Sequence, residues 1–206
     1  RAGIEYIEVR CVDINPFLPL GIDEQTMRLL DVFLVDCLLS DSPLCDEAGQ
    51  RQNTENLRRV VDCGRDPGLM LHDGDKEIAF SVLAEQLLNQ MADTAALLDR
   101  DHGGTGHTDA IKMARGRLAD PDSTPSGRIL TEMREQKMPF WQLALNYSRH
   151  WDKQFRSEVL SDEEQQYFAQ LAVESIDKQK LLEADDSVSF DSYLTQFFAQ
   201  YQELAP

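Results

Sequence analysis

The chain has 206 residues and a formal net charge of −17 at pH 7, with 20 Lys and Arg against 37 Asp and Glu. At 42% hydrophobic and 28% charged it reads as a globular protein, long enough for one large domain or two small ones. The acidity argues against a nucleic-acid partner, because binding phosphates needs Lys and Arg to displace their counterions.

The chain opens on Arg1-Ala2-Gly3, with neither an apolar signal region nor an initiator Met. Ile4–Val12 (IEYIEVRCV) is rich in β-branched and aromatic residues and predicts a strand. Alternation puts Tyr6, Glu8 and Arg10 on one face and Ile7, Val9 and Cys11 on the other. Asn15-Pro16 and Pro19 end it, since proline has no N–H to give a ladder. No second strand is expected.

The remainder predicts helix. Asp23 caps a segment to Leu39, closed by Ser40, Asp41, Ser42 and Pro43. Its polar stripe, Glu24, Arg28 and Asp31, is narrow, which predicts a central packing helix with Cys37 in the core. The apolar run inside it, Val32–Leu39, is broken by Asp36 and far shorter than the roughly 20 residues a membrane span needs, so no membrane partner is expected. A second helix covers Asp46–Asp62, with Gly64 placed to end it in the left-handed conformation. A third runs from a Ser81 cap to Arg100, with Val82, Leu83, Leu87, Leu88, Met91, Ala95 and Leu98 on one broad face. Gly103-Gly104-Thr105-Gly106 breaks the pattern. Further helices are predicted near Thr108–Ala119, Ser126–Gln136, Pro139–Arg156, Ser161–Ala184 and Ser189–Gln202. Residues 158–206 carry 11 acids against Lys178 and Lys180, a composition that suits solvated helical faces.

Few residues suggest chemistry. Glu8 and Arg10, at i and i+2, would stand side by side on the strand. A carboxylate there offers Mg²⁺ the hard oxygen it requires, and the guanidinium fork beside it suits a phosphate. The same spacing equally describes a salt bridge on an exposed sheet face. His102 and His107 flank the glycine break without a third ligand for zinc, and that glycine run lacks the Lys-Ser/Thr ending of a phosphate loop. Cys11, Cys37, Cys45 and Cys63 contain no CxxC pair, which fits a reducing cytoplasm.

The run YIEVRCVDINPFLPLGIDEQ (Tyr6–Gln25) resembles the enterobacterial-type glutamate–cysteine ligase family. The likeness continues through DVFLVDCLL, Asn56–Val60, the Gly64–Leu69 turn and Gly127–Leu130, and the Glu-x-Arg-x-x-Asp spacing is similar to the wider glutamine-synthetase-like superfamily. The resemblance implies an ATP-dependent ligase that joins the γ-carboxyl of glutamate to cysteine, the first step of glutathione biosynthesis. It implies Glu8 as a metal ligand, Arg10 as the catalytic, ATP-directed arginine, and Mg²⁺ and ATP as cofactor and co-substrate. Asp13 and Asn15 match the family pattern too and are expected to shape the turn after the strand.

Family members are much longer, and their other metal-binding carboxylates precede this strand. The expectation is therefore a C-terminal portion, inactive alone: residues 1–20 as an active-site strand and loop of the parent's sheet, and residues 21–206 as a helical region. The fold class expected is mainly α with one N-terminal β-strand, in a parent with an α/β glutamine-synthetase-like fold, acting as a monomer with glutamate, cysteine and ATP. The alternative is a noncatalytic helical interaction or regulatory module, which would tolerate the loss of Glu8.

Overall fold

A computed structural model describes residues 6–202. Helices dominate. In chain order the elements are α1 (Glu24–Leu39), α2 (Glu47–Cys63), β1 (Met70–Asp73), β2 (Lys76–Ala79), α3 (Phe80–His102), α4 (Gly106–Ala119), α5 (Pro125–Glu135), α6 (Phe140–Ser157), α7 (Asp162–Asp185) and α8 (Phe190–Gln202). Contacts divide the chain into two compact units, the first reaching Asp152 and the second starting at Lys153.

Capping explains most helix starts. The Asp23 carboxylate accepts the Thr26 N–H at 2.8 Å, and Asp46 accepts that of Gly49 at 2.8 Å. Thr124 caps α5 ahead of Pro125, a residue whose missing N–H costs nothing in the first turn. The core of the first unit lies where α1, α3 and α4 meet, around Val32, Leu88, Met91, Ala95 and Ile111, flanked by Leu29, Leu98, Ala114 and Leu118. Burying each of the larger side chains is worth roughly 1.5–3 kcal/mol. The expected α3 face is thus buried through its middle, whereas Val82 and Leu87, nearer its start, remain exposed.

The N-terminal strand does not form among the described residues. Tyr6–Asn15 carry no regular structure, and Ile4 and Glu5 lie outside the described residues. The composition is that of a strand, but a strand needs a neighbour to accept and donate its ladder bonds, and among the described residues no other strand lies alongside. Conversely, a hairpin that had not been anticipated is present. β1 and β2 pair antiparallel, with Leu71 opposite Ile78 and His72 opposite Glu77. Gly74, in the two-residue turn, takes φ +61°, the positive φ that tight hairpin turns require. The chain is therefore mainly helical with a small two-stranded sheet.

Three smaller expectations fail. Cys37 is exposed, because the stripe of α1 that meets α3 and α4 runs through Leu29, Val32 and Asp36. The buried Asp36 carboxylate accepts from Thr94 Oγ1 at 2.9 Å and Gln90 Nε2 at 3.0 Å, which makes a polar residue tolerable there. Gly64 sits in the right-handed region (φ −57°, ψ −16°), and the chain leaves α2 through a turn closed by Asp66 N–H to the Cys63 carbonyl. α3 starts at Phe80, one residue before the expected Ser81 cap, and Ala79 precedes it without a capping side chain.

In the second unit, Ser161 and Glu164 form a reciprocal capping box at the start of α7. The described acidic residues here are exposed, as their density predicts, and so are Tyr167, Phe168, Leu171, Ile176, Phe190 and Phe198.

Candidate functional site

Glu8 and Arg10 do stand side by side. Arg10 Nη2 donates to Glu8 Oε2 at 2.8 Å, with 53% of the Glu8 side chain and 80% of the Arg10 side chain exposed. A pair so open to water contributes little to stability, so neither group is committed to holding the fold. Arg10, Cys11 and Asp13 border a broad open groove of about 1280 Å³, whose other walls are Leu57 and Val61 of α2, the Cys63–Asp66 turn, and Thr124 and Ser126 at the start of α5. A smaller cavity of about 290 Å³ lies between Cys11, Asp13 and Asn15 and the residues Thr26, Leu29 and Arg117.

Beyond Ile14 the backbone becomes tightly organised. Asn15 and Gly21 close a loop through Asn15 N–H to the Gly21 carbonyl at 2.8 Å, and the Asn15 side chain accepts the Phe17 N–H at 3.1 Å. Asn15 therefore shapes the turn as expected, whereas Asp13 lines both cavities. Gly21 adopts φ +75°, and a Cβ there would come within 2.7 Å of Ile14 Cγ2. Side chains from α5 and α6 grip this loop. Trp151 Nε1 donates to the Pro16 carbonyl at 2.9 Å, the Arg128 guanidinium carbon lies 3.8 Å from the Phe17 ring centre, and the Tyr147 ring meets Phe17 edge-on at 5.1 Å. Tyr147 in turn donates to Glu132 at 2.8 Å. Burial, reinforced by that anionic acceptor, pushes the Tyr147 hydroxyl up to about 12, so it remains a donor at any physiological pH. None of these four partners was singled out from sequence. They lie more than 100 residues from Phe17, and no local pattern announces such pairings.

A magnesium ion asks for several oxygen ligands in near-octahedral order. Among the described residues no group of three His, Cys, Asp or Glu side chains is placed to hold a metal ion, and Glu8 offers one carboxylate already paired with Arg10. The described residues alone do not fit a metal site. His107, 5% exposed, meets Asp99 at 2.9 Å through Nδ1, and an ionised carboxylate only accepts, so Nδ1 donates. His102 lies 5.4 Å from it ring to ring and adds no further ligand. The glycine break is a connector in which Gly103 and Gly104 both take positive φ.

The hairpin is fixed to α2 by side chains that imitate another strand. The Asn56 amide donates to the His72 carbonyl at 2.9 Å and accepts the His72 N–H at 2.8 Å. Arg59 reaches the Met70 carbonyl at 2.9 Å and Glu77 at 2.7 Å, and Gln52 reaches the Gly74 carbonyl at 3.0 Å. Hydrogen bonds from Arg58 and Arg59 hold the Glu55 carboxyl at about 2. The Cys63–Asp66 turn, one wall of the Arg10 groove, lies in the chain between α2 and this hairpin.

Residues 1–60, which include Glu8 and Arg10, match the family described as Glutamate-cysteine ligase. Over 201 residues the chain is 43% identical to the glutamate–cysteine ligase of Pseudomonas aeruginosa, an alignment covering 96% of this chain and 37% of that protein. Identity to the glutamate–cysteine ligase of a Janthinobacterium species is 40% over 195 residues, with 95% and 37% covered. The backbone superposes on the 2.0 Å crystal structure of the Francisella tularensis glutamate–cysteine ligase in complex with AMP with a TM-score of 0.85 and 29% identity, covering 99% of this chain and 40% of that one. The helical architecture is thus shared with a glutamate–cysteine ligase of known structure, and Glu8 and Arg10 fall within the residues that match the family. Over nearly its whole length the chain is similar to glutamate–cysteine ligases, and it spans about 37% of the length of the curated relatives it matches.

Proposed function

We propose that this chain is the C-terminal part of an ATP-dependent ligase that joins glutamate to cysteine in glutathione biosynthesis, in the cytoplasm. In this reading the γ-carboxylate of glutamate attacks the terminal phosphorus of ATP, giving an acyl phosphate and ADP. The cysteine amine then attacks the acyl carbon. The new C–N bond forms as the C–O bond to phosphate breaks, and phosphate leaves while the ammonium proton is lost to solvent. The observation that carries this is the 43% identity to named ligases across 96% of the chain. The AMP held by the Francisella relative supports a nucleotide as co-substrate.

Arg10 is the residue assigned to the transferring phosphoryl group, where a planar cation neutralises developing charge. Its exposure and its place on the groove rim support that role. Glu8 is assigned as one oxygen donor among several. A complete metal site would need donors from beyond the described residues. Residues 1–20 are assigned to the parent's sheet, which would supply the neighbours that Tyr6–Asp13 lack here.

The test is ADP release by the full-length protein with Mg·ATP, glutamate and cysteine. Cysteine-dependent release should fall on the order of 10²–10³-fold in Glu8→Ala, the scale of losing one transition-state stabiliser. This chain on its own should form no γ-glutamylcysteine. Equal turnover in Glu8→Ala would remove Glu8 from the site, and a full-length protein without cysteine-dependent release would favour the noncatalytic helical module.

A further inference from the structure

The Glu8–Arg10 pair has no regular secondary structure of its own, yet five residues beyond Arg10 the backbone enters the closed Asn15–Gly21 loop. That loop is the first backbone-bonded point after the pair. It is held from outside, by a cation over Phe17, an aromatic edge against Phe17 and an indole N–H on the Pro16 carbonyl. We propose that Arg128, Tyr147 and Trp151 form a positioning clamp that sets where Glu8 and Arg10 stand. This rests on the ligase reading of that segment.

The geometry favours a positioning function over simple support. Extended chain covers about 3.3–3.6 Å per residue, so Arg10 lies up to roughly 17 Å from the loop entrance. With the segment held as one body, as pairing in the proposed parent's sheet would hold it, a tilt of the loop by about 10° would move Arg10 by about 3 Å at that reach. Displacements on the order of 1 Å in a reacting group are enough to cost about 100-fold in rate. The clamp residues are also dispersed in their chemistry. Arg128 is an exposed side chain lying over the Phe17 ring, a cation–π contact that does not help fill the core. Trp151 presents its one hydrogen-bond donor to a carbonyl 135 residues away in the chain, and Tyr147 is itself fixed by Glu132. Three separate restraints thus meet on two consecutive residues, Pro16 and Phe17, and α5 and α6 become part of the site without touching the reacting atoms.

The experiment uses the full-length protein and steady-state ADP release, with Arg128→Gln, Arg128→Lys and Trp151→Phe compared against wild type. Arg128→Gln removes the cation at an exposed position, so the fold should survive, and Arg128→Lys keeps the charge over the ring. Trp151→Phe keeps an aromatic body and deletes only the N–H. Positioning predicts that Arg128→Gln and Trp151→Phe each lower kcat by about 10- to 100-fold while the KM values for ATP, glutamate and cysteine stay within about twofold. Arg128→Lys should restore most of the rate. A raised KM for ATP with kcat retained would make Arg128 a substrate contact and overturn the clamp. So would unchanged kcat in both variants while hydrogen exchange at the Asn15 and Gly21 amides accelerates, because the loop would then be loosened without consequence. A wild-type protein that releases no ADP marks failure of the ligase reading itself, and is told apart because no variant is needed to see it.

Discussion

Removing the Asp99 carboxylate should cost the first unit three hydrogen bonds at once. Asp99 lies near the end of α3, is 7% exposed, and reaches across the glycine connector to the start of α4. Its carboxylate accepts the His107 N–H at 2.8 Å, the Thr108 N–H at 2.9 Å and His107 Nδ1 at 2.9 Å. Thr105, at the position where a capping side chain normally sits, donates to Asp109 instead. Asp99 therefore caps α4 from the preceding helix and ties the two together. Hydrogen bonds to a charged group contribute about 1.5–3 kcal/mol each, and stranding their buried partners adds to the loss. Sharing one acceptor makes the three non-additive, so Asp99→Ala should cost about 3 kcal/mol. Asp99→Asn should cost about 2 kcal/mol, since an amide can accept one N–H but turns its own NH₂ toward another. For a protein of this size, 3 kcal/mol corresponds to a Tm lower by about 6–12 °C.

Acid dependence gives a second readout of the same site. Burial pushes the Asp99 carboxyl up, but bonds from the Thr108 side chain and from the His107 and Thr108 backbone outweigh it and hold the group below the usual carboxylate range. A depressed folded value means stability that is fully present above the unfolded value near 3.9 and is lost as pH falls through the folded one. The gap between wild type and Asp99→Asn should thus hold from neutral pH down to about pH 5 and narrow below about pH 4. Trp141 and Trp151 both lie in the first unit, so denaturant titration followed by tryptophan fluorescence reports it selectively. A variant within 0.5 kcal/mol of wild type at pH 7, below about a third of the bond energies invoked, would refute the capping argument. An equal gap at pH 3 and pH 7 would refute its electrostatic part.

Two further substitutions probe the walls of the candidate site. Asn56→Ala deletes both bonds to His72 and should cost about 1–3 kcal/mol, with faster hydrogen exchange at the His72 amide and no change in the core of α3. Unaltered exchange there would mean that Arg59 and Gln52 hold the hairpin without it. Gly21→Ala forces a side chain into φ +75° and against Ile14, a strain of about 1–3 kcal/mol, and the melting temperature should fall. A variant as stable as wild type would show that the Asn15–Gly21 loop can relax without penalty.

How far the sequence could be read depended on where each residue finds its partner. The start of α1 was legible because its partner is three residues away: Asp23 caps through Thr26 as expected, and Asp46 with Gly49 and Ser161 with Glu164 use the same spacing. Ser81 and Gly64, by contrast, do not cap or end their helices as expected. The core stripe of α3 was legible because periodicity alone marks it, although Leu88, Met91 and Ala95 sit deeper than Val82 and Leu87. The hairpin carried a local signal that went unread, an Asp-Gly-Asp turn between two short apolar stretches. Asp99 as a cap for α4 and the grip on Phe17 carried none, since each joins residues from different elements.

The N-terminal segment shows the other side of that rule. Its alternation predicted that Glu8 and Arg10 share a face, and they do, yet the strand itself is absent among the described residues. Side-chain alternation is a property of one segment, whereas a ladder is a property of two. A segment with strand composition, an exposed acid–base pair and a gripped loop behind it is the piece that the proposed ligase reading would seat against another strand, and it lies within the residues that match a ligase family. In the proposed parent the sheet would supply the neighbouring strand, while α5 and α6 already supply the grip. The placement of Arg10 would then be decided from both sides, and loosening either one should cost turnover before it costs the fold.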